Sequence, residues 1–434
     1  MYRITNTHLS RTKYGEHYVY FYAQAEKARC LANAALFYMR NFYTASKKIA
    51  SGDKLFTNEQ VVYDDVMQVN PKAKFIMSYT TLLDVLSHHP DFYKGQTAQW
   101  VIKHVQGDFS SWNKAMKAYY KNPGSFTGMP KMPKYHKTDI ISYTITNQDA
   151  IFKYKTEPVL KLPYTDLTVP VPPCTDGRLK EVKIVPSYDG FNVIMVTESD
   201  LILPPVQGNA IGAIDFGVEN TVSFVSTNGI ARLYKGGALK SKNQWANKLA
   251  ALHPERKSQI WYERNCQVSA IMNALATSIV NTCVEKGIST LVIGHNTNWK
   301  QNVHMGKRNN QTFVNIPFST LEWLIQYRCD RHGIIVIKQE ESYTSKASFI
   351  DGDDFTAPFS GTRKNRLYIT KDGLIVNADL NGAGNILVKA FPYAFDHIDR
   401  RFILKLEVYR FFGSFKKCIP ETDNGLVMAQ VCCA

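Results

Sequence analysis

Two aspartates stand where a chain can concentrate charge for chemistry on a phosphate. Asp215 closes the apolar run NAIGAIDFG, and Asp379 opens a helical stretch in VNADLNGAGNI. Taken singly, a carboxylate at a strand end or helix start is usually a cap or a surface charge. Joined by one or two more, such groups can hold two Mg²⁺ ions, which neutralise charge on a pentavalent phosphorus and activate a water for in-line attack. Hard oxygen ligands suit Mg²⁺, so the lack of Cys/His clusters is no obstacle. The eight cysteines show no C-x-x-C spacing, which excludes a zinc ribbon built from the chain's own cysteine pairs. Their scatter fits a reducing compartment, with most of them expected as small buried hydrophobes. There is no P-loop and no G-x-G-x-x-G. Asp215-Phe216-Gly217 has the letters of a kinase motif, but no H-R-D loop or glycine-rich phosphate loop accompanies it.

The elements around the two aspartates follow an α/β pattern. NAIGAIDFG reads as a strand, NTVSFVST and ARLYKG as the next strands of a meander, and 256–286 as a long helix with Val268, Ile271, Leu275, Ile279 and Cys283 at helical spacing. STLVIG (289–294) reads as a buried strand. PFSTLEWLIQYRCDRHG reads as a helix with Pro317 near its start and Gly333 as its stop. IIVIKQEE is another buried strand and GLIVNAD a last one, leading into a helix over 380–391. Strand, meander, helix, strand, helix, strand and final helix resemble the RNase H-like arrangement, in which carboxylates at strand ends and on the last helix converge on one pocket.

The first half differs. Residues 17–49 read as helix, with helical patches to about 121. From Phe109 to Lys137 there are six lysines (Lys114, Lys117, Lys121, Lys131, Lys134 and Lys137) and no acid, interleaved with Trp112, Tyr119, Tyr120, Phe126 and Tyr135. Lysines neutralise phosphates while aromatic faces stack on bases, so the mixture suits nucleic acid; a solvated helix face running into a Pro/Gly loop is the plainer alternative. Residues 139–205 hold short β-rich runs between Pro, Asp and Gly signals, as in a small antiparallel sheet or barrel, and Pro204-Pro205 with Gly208 marks a boundary.

Composition agrees with a folded chain that meets a polyanion. Of 434 residues, 44% are hydrophobic and 21% charged, which excludes a mainly disordered basic tail. The net charge of +15 is split evenly: 25 basic and 18 acidic side chains up to residue 205, and 27 and 19 after it, so +7 and +8. A single basic arm would concentrate the excess; a long positive surface spreads it. No run approaches the roughly 18 apolar residues of a membrane span, and MYRITNTHLSRTKYG has no apolar stretch for a signal peptide. A soluble cytoplasmic protein is the expectation.

AIGAIDFGVENTVSFVSTNG, LVIGHNTNWKQ, ESYTSKAS and NADLNGAGNI, in that order, resemble the TnpB proteins, transposon-encoded RNA-guided DNA nucleases ancestral to the type V CRISPR effectors. MPKMPKYHK resembles the family's G-x-P-x-x-P-x-Y-like segment. The resemblance implies a multi-domain α+β fold. A helical recognition domain (16–121) would be inserted in a wedge-like β-barrel (1–15 and 122–205), followed by an RNase H-like RuvC α/β nuclease domain (206–434) with a small nucleic-acid-binding insert near 346–373. It implies a structured guide RNA, a double-stranded DNA target read beside a short motif, and Mg²⁺. A monomer on one guide RNA is favoured, and no membrane is involved. Asp215 matches the first RuvC aspartate and Asp379 the last.

Two departures stand out. The usual RuvC glutamate follows the strand written LVIG, yet here the position is Gly294, and no acid occurs from 287 to 321. Either the nuclease is dead or another carboxylate serves. IIVIKQEESYTS ends in Glu340 and Glu341, and a parallel pairing beside LVIG would bring that end to the same pocket. The E-x-x-T-S placement of Glu341 resembles a subgroup, including the Fanzors, with a relocated glutamate; Glu341 is the choice and Glu340 the reserve. Secondly, Ser348 and Asp351 occupy the positions where many relatives carry a C-x-x-C, so no zinc is expected in the insert. Arg363, Lys364 and Arg366 of the insert, and Lys300, Lys307 and Arg308 of the acid-free stretch after Gly294, are candidate DNA contacts. A nuclease-dead RNA-guided repressor and a miniature type V effector using a CRISPR RNA are the competing readings.

Overall fold

The computed structural model describes residues 2–93, 95–153, 158–172, 177–199, 204–295 and 316–418. Lys300, Lys307 and Arg308 therefore lie outside the described residues. The chain divides into two compact units, Met1–Leu201 and Ile202–Ala434.

The first unit starts with strand β1 (Tyr2–Ser10) and helix α1 (Gly15–Ser51). α1 is alanine-rich, which favours helix and lets neighbours approach, and it buries Phe21, Ala28, Leu31, Ala35, Met39 and Phe42. It stops at Gly52, whose left-handed φ of 78° lets its N–H reach the Ile49 carbonyl. Helices α2 (Thr57–Val69), α3 (Tyr79–Leu86) and α4 (Gln96–Lys121) pack around it. Next come β2 (Tyr143–Thr146), β3 (Ile151–Lys153), β4 (Val159–Lys161), β5 (Thr168–Pro170), β6 (Arg178–Ser187) and β7 (Gly190–Glu198). The expected barrel is not one continuous sheet among the described residues. A four-stranded antiparallel sheet runs β1-β7-β6-β2, and a separate three-stranded one runs β3-β4-β5. The first strand of the chain thus pairs with the last of the unit, from Tyr2 opposite Glu198 to Ser10 opposite Gly190.

The second unit is built on a seven-stranded mixed sheet. Its strands are β8 (Ala210–Phe216), β9 (Asn220–Ser226), β10 (Ala231–Lys235), β11 (Ile288–His295), β12 (Ile335–Glu340), β16 (Glu407–Phe411) and β17 (Phe415–Cys418), in the order β12-β11-β8-β9-β10-β16-β17. β8, β9 and β10 form an antiparallel meander, whereas β11 runs parallel to both β8 and β12. Alternation along each strand feeds two cores. Ile214, Phe216 and Phe224 face α6 (Lys257–Glu285) and α7 (Phe318–Arg331), while Ala213, Val225 and Val292 face α8 (Ala378–Ala390). Helix α5 (Gly237–Leu252) links the meander to α6. By length and composition α6 could cross a membrane, but half of its most apolar stretch is buried, in the core with the sheet and α7.

Two expectations are corrected. The strand read from GLIVNAD is β15 (Ile375–Asn377), and it pairs with β14 (Leu367–Ile369) and, through it, β13 (Thr362–Lys364), in a small sheet of the insert rather than the main one. The segment after the final helix also has a structural part: β16 joins the main sheet parallel to β10, with Arg232 opposite Glu407. Of the five described cysteines, only Cys283 and Cys329 are buried, so burial is not the rule for them.

Candidate functional site

Asp215 is the penultimate residue of β8, opposite Ser223 of β9. Ile214 pairs with Ile293 of β11, and Gly294 pairs with Gln339 of β12, both in parallel, so the C-terminal ends of three strands lie side by side. Helix α8 crosses that end closely: a Cβ on Gly382 would stand 2.9 Å from Asp215 Oδ2. Glu341 directly follows β12, and its side chain lies against β11. A Cβ on Gly294 would collide with Glu341 Oε1 and stand 3.1 Å from its Cδ. The bare backbone at 294 is therefore the space in which the Glu341 carboxylate sits.

The two neighbouring glutamates are sent in different directions. Glu340 accepts from Lys389 Nζ at 2.6 Å and from the Ser342 N–H at 2.7 Å, and Lys389 first, then Ser342, pull its carboxyl down to about 2. Glu341 instead acts on Asp215. Asp215 keeps part of its surface exposed, yet its carboxylate is desolvated. Burial first, then Glu341 and Asp379, push its carboxyl well above the usual range, against weaker pulls from Arg363 and the Phe216 N–H.

Asp379 sits in the first turn of α8, where the Asn377 side chain caps the N–H groups of Asp379 and Leu380 at 3.0 and 3.2 Å. Its Oδ2 accepts from Asn220 Nδ2 at 2.8 Å, and Arg363 of the insert stands 3.8 Å from its Oδ1. Two further asparagines of α8 fix the segment that carries Glu341. Asn385 donates to the carbonyls of Thr344 and Ala347 at 2.9 and 2.7 Å. Asn381 donates to Ala347 at 2.8 Å and accepts the Phe349 N–H at 2.9 Å. These asparagines, with Asn220 and Gly382, were not foreseen; a signal did exist, since two asparagines four apart inside a helix contradict helix propensity.

The donor set fits a divalent cation by its chemistry: all three groups are carboxylates, and the charges of Glu341 and Asp379 raise the Asp215 carboxyl more than Arg363 lowers it. Among the described residues no three His, Cys, Asp or Glu side chains are already gathered as a metal cage. The two oxygens of Asp379 face Asn220 and Arg363.

The insert is tied by oxygen and nitrogen rather than sulfur. Ser348, fully buried, donates its Oγ to Asp351 Oδ2 at 2.5 Å and its N–H to Asp353 Oδ2 at 2.7 Å. Asp351 also accepts the Lys371 N–H at 3.1 Å, and Asp353 accepts the Ser360 N–H at 3.2 Å. Of the predicted contact residues here, Arg363 reaches the carboxylates, Arg366 pairs with Glu219 at 3.2 Å, and Lys364 is exposed on β13.

In the first unit, Lys114, Lys117 and Lys121 are exposed along α4, and Lys131, Lys134 and Lys137 along the segment after it. The aromatics divide. Tyr120 and Tyr135 are 67% and 42% exposed, the latter under the Arg40 guanidinium at 5.3 Å. Trp112 is structural: it packs edge-on against Tyr43 and Phe109 and donates Nε1–H to the Pro130 carbonyl at 3.2 Å. Tyr119 and Phe126 pack on each other. Pro133 and His136 are bonded to Arg40 and Asn33 of α1, which holds this lysine-bearing segment along that helix.

Residues 193–300 match the family OrfB_IS605, described as a probable transposase, and residues 318–386 match the Cas12f1-like TNB domain. No curated protein matches the chain. Among solved structures, the chain is similar to that of the Cas12f1–sgRNA–target DNA complex, with 14% identity, 86% of this chain and 82% of that one covered, and a TM-score of 0.50. A CRISPR-Cas12f ternary complex also aligns, at 13% identity over 87% and 85% of the two chains, with a TM-score of 0.32. The fold is thus a mixed α+β, multi-sheet one resembling Cas12f, with a RuvC-like mixed sheet.

Proposed function

We propose that the chain is an RNA-guided DNA endonuclease. It recognises a short DNA motif, pairs a guide RNA with one target strand and cuts DNA by Mg²⁺-dependent hydrolysis. The observation that carries this reading is that Glu341 and Asp379 both raise the carboxyl of Asp215 at one end of the RuvC-like sheet, with Glu341 lying over Gly294. The similarity to a probable transposase family and to Cas12f1 supports the guided part. When bound by the three carboxylates, Mg²⁺ would neutralise charge on the phosphate under attack and lower the pKa of the attacking water. The chain's own residues do the positioning. Asn377 fixes the start of α8 and hence Asp379, Asn220 holds Asp379 Oδ2, and Asn381 and Asn385 hold the segment that aims Glu341. Glu341 orients the attacking water. Lys389 keeps Glu340 away from this task.

The test is cleavage of a guide-matched plasmid by protein co-expressed with its flanking RNA, with Mg²⁺, for wild type, Asp215→Asn, Glu341→Gln and Glu340→Gln. The first two substitutions should abolish cutting while target binding persists, and Glu340→Gln should cut within about tenfold of wild type. Wild type that binds the target and never cuts returns the nuclease-dead repressor. Cutting that survives Glu341→Gln but not Glu340→Gln moves the role by one residue. Protein that carries no RNA at all removes the guided reading. The same assay with a CRISPR RNA in place of the flanking RNA decides between a transposon-end guide and a miniature effector.

A further inference from the structure

Beside the carboxylates lies a second feature that the reaction as described does not use. A cavity of about 480 Å³ opens between the turn joining β8 to β9, the end of β10, the start of α5 and the end of β16. Its walls include Glu219, Lys235, Gly237, Lys240, Arg410 and Phe412. Three cations and one carboxylate give it a positive excess, and that carboxylate is already shared: Glu219 pairs with Lys240 at 2.5 Å and with Arg366 at 3.2 Å. Arg410 is exposed and forms no ion pair among the described residues. Phe412 is 63% exposed, an aromatic face turned to solvent beside those cations. Gly237 belongs to the lining, and a Cβ there would meet nothing within 4 Å, so a larger side chain has room. The cavity adjoins the carboxylates through the chain itself: Glu219 forms its wall, and the next residue, Asn220, holds Asp379 at 2.8 Å.

We propose that this cavity is a subsite for single-stranded DNA next to the cutting site, taking a backbone phosphate between Lys235, Lys240 and Arg410 and a base against Phe412. The inference rests on the endonuclease reading for its purpose, but not for its chemistry. A lining with more cations than carboxylates attracts phosphate, and an exposed aromatic ring beside it accepts a base of any sequence. A strand held here is anchored on the far side of the β8–β9 turn from Asp215. It can then reach the carboxylates only in a restricted register, and such positioning is where much of the rate of a phosphoryl-transfer enzyme comes from.

The experiment reads binding without cleavage. Fluorescein-labelled oligodeoxythymidine is titrated into the full chain in chelator, at several salt concentrations, for wild type, Arg410→Ala, Phe412→Ala and Gly237→Leu, each checked for an unchanged melting temperature. Arg410→Ala should weaken binding severalfold and make the log–log salt slope shallower by roughly one. Phe412→Ala should weaken it by roughly 5- to 100-fold with the slope unchanged. Gly237→Leu fills the cavity without touching charge and should also weaken binding. Equal affinity in all three variants overturns the subsite, and so does a loss seen with oligouridine but not with oligodeoxythymidine, which would give the cavity to RNA. A chain that shows the predicted losses yet never cuts guide-matched DNA keeps the subsite and loses the endonuclease reading; one that cuts while all variants bind equally does the reverse.

Discussion

A carboxylate that reaches a shared pocket from the neighbouring strand needs the strand between to be bare, and this is the condition Gly294 meets. Gly294→Ala should displace Glu341 and also press on Ile386 Cδ1, to which the new Cβ would stand 2.7 Å away. Cleavage should fall by about 10- to 100-fold with target binding retained, because a misplacement near 1 Å is enough for such a loss. The paired exchange Gly294→Glu with Glu341→Gly should cut faster than Glu341→Gln alone; a pair no better than the single variant would sink the idea that one pocket is served from either strand. Asp215 carries a second prediction. Its folded-state carboxyl is raised by burial, Glu341 and Asp379, so its contribution to stability is full at acid pH and is lost as pH rises through that raised value. In chelator at neutral pH, Asp215→Asn should therefore melt a few degrees above wild type, and added Mg²⁺ should stabilise wild type but not the variant. An unchanged melting temperature in both would mean that the neighbouring carboxylates do not destabilise an ionised Asp215. The places of the two aspartates, near a strand end and in the first turn of a helix, were legible in the sequence. The meaning of Gly294 was not, because spacing alone makes it a lost glutamate; only the parallel pairing of Gly294 with Gln339 turns it into room for Glu341.

At the scale of elements, the insert shows how a loop of this size can be closed by hydrogen bonds. Ser348, Asp351 and Asp353 tie the segment after Glu341 to Ser360 and Lys371, and Phe349 is sealed against Phe395 and Phe402. If these contacts suffice, a zinc chelator should leave hydrogen exchange across 346–373 unchanged. Ser348→Ala should loosen it, at a cost of about 1–3 kcal/mol for the buried partners left unpaired. Chelator-induced loss of protection, with zinc released in stoichiometric amount, would overturn this account. The helices α1, α6, α7 and α8 were readable from apolar periodicity, and Gly333 at φ 66° ends α7 as its sequence position suggests. What the sequence could not reveal was partnership. GLIVNAD has the apolar run of a buried strand, yet β15 finds its hydrogen-bonding partner in the hairpin beside it. VYRF in β16 looks no different from other short runs, yet it extends the main sheet by laying Tyr409 on Tyr234, with ring centroids 5.2 Å apart. Non-local pairing of this kind is set by tertiary packing, not by the local pattern.

For the molecule as a whole, the even division of its charge acquires a testable meaning. The first unit presents Lys114, Lys117 and Lys121 on α4 and Lys131, Lys134 and Lys137 on the segment strapped to α1; the second presents Arg363 beside Asp379 and Lys364 exposed on β13. An electrostatic surface of that extent predicts RNA binding that weakens steeply with salt, each phosphate contact adding about 0.7–0.9 to the log–log slope. Replacing Lys114, Lys117 and Lys121 together by alanine should make the slope shallower by roughly 2–3 and leave the melting temperature unchanged, since all three are exposed. Trp112→Ala belongs to the same stretch of sequence but should do the opposite: it should lower stability by about 3 kcal/mol or more, by emptying the space against Tyr43 and Phe109, and alter the slope little. If the lysine variant kept the wild-type slope, α4 would be a solvated helix face after all, and the positive excess of the first unit would have to act elsewhere. Lysines and aromatics that alternate in the sequence thus separate only in part: the six lysines lie exposed with Tyr120 and Tyr135, while Trp112, Tyr119 and Phe126 pack against other rings.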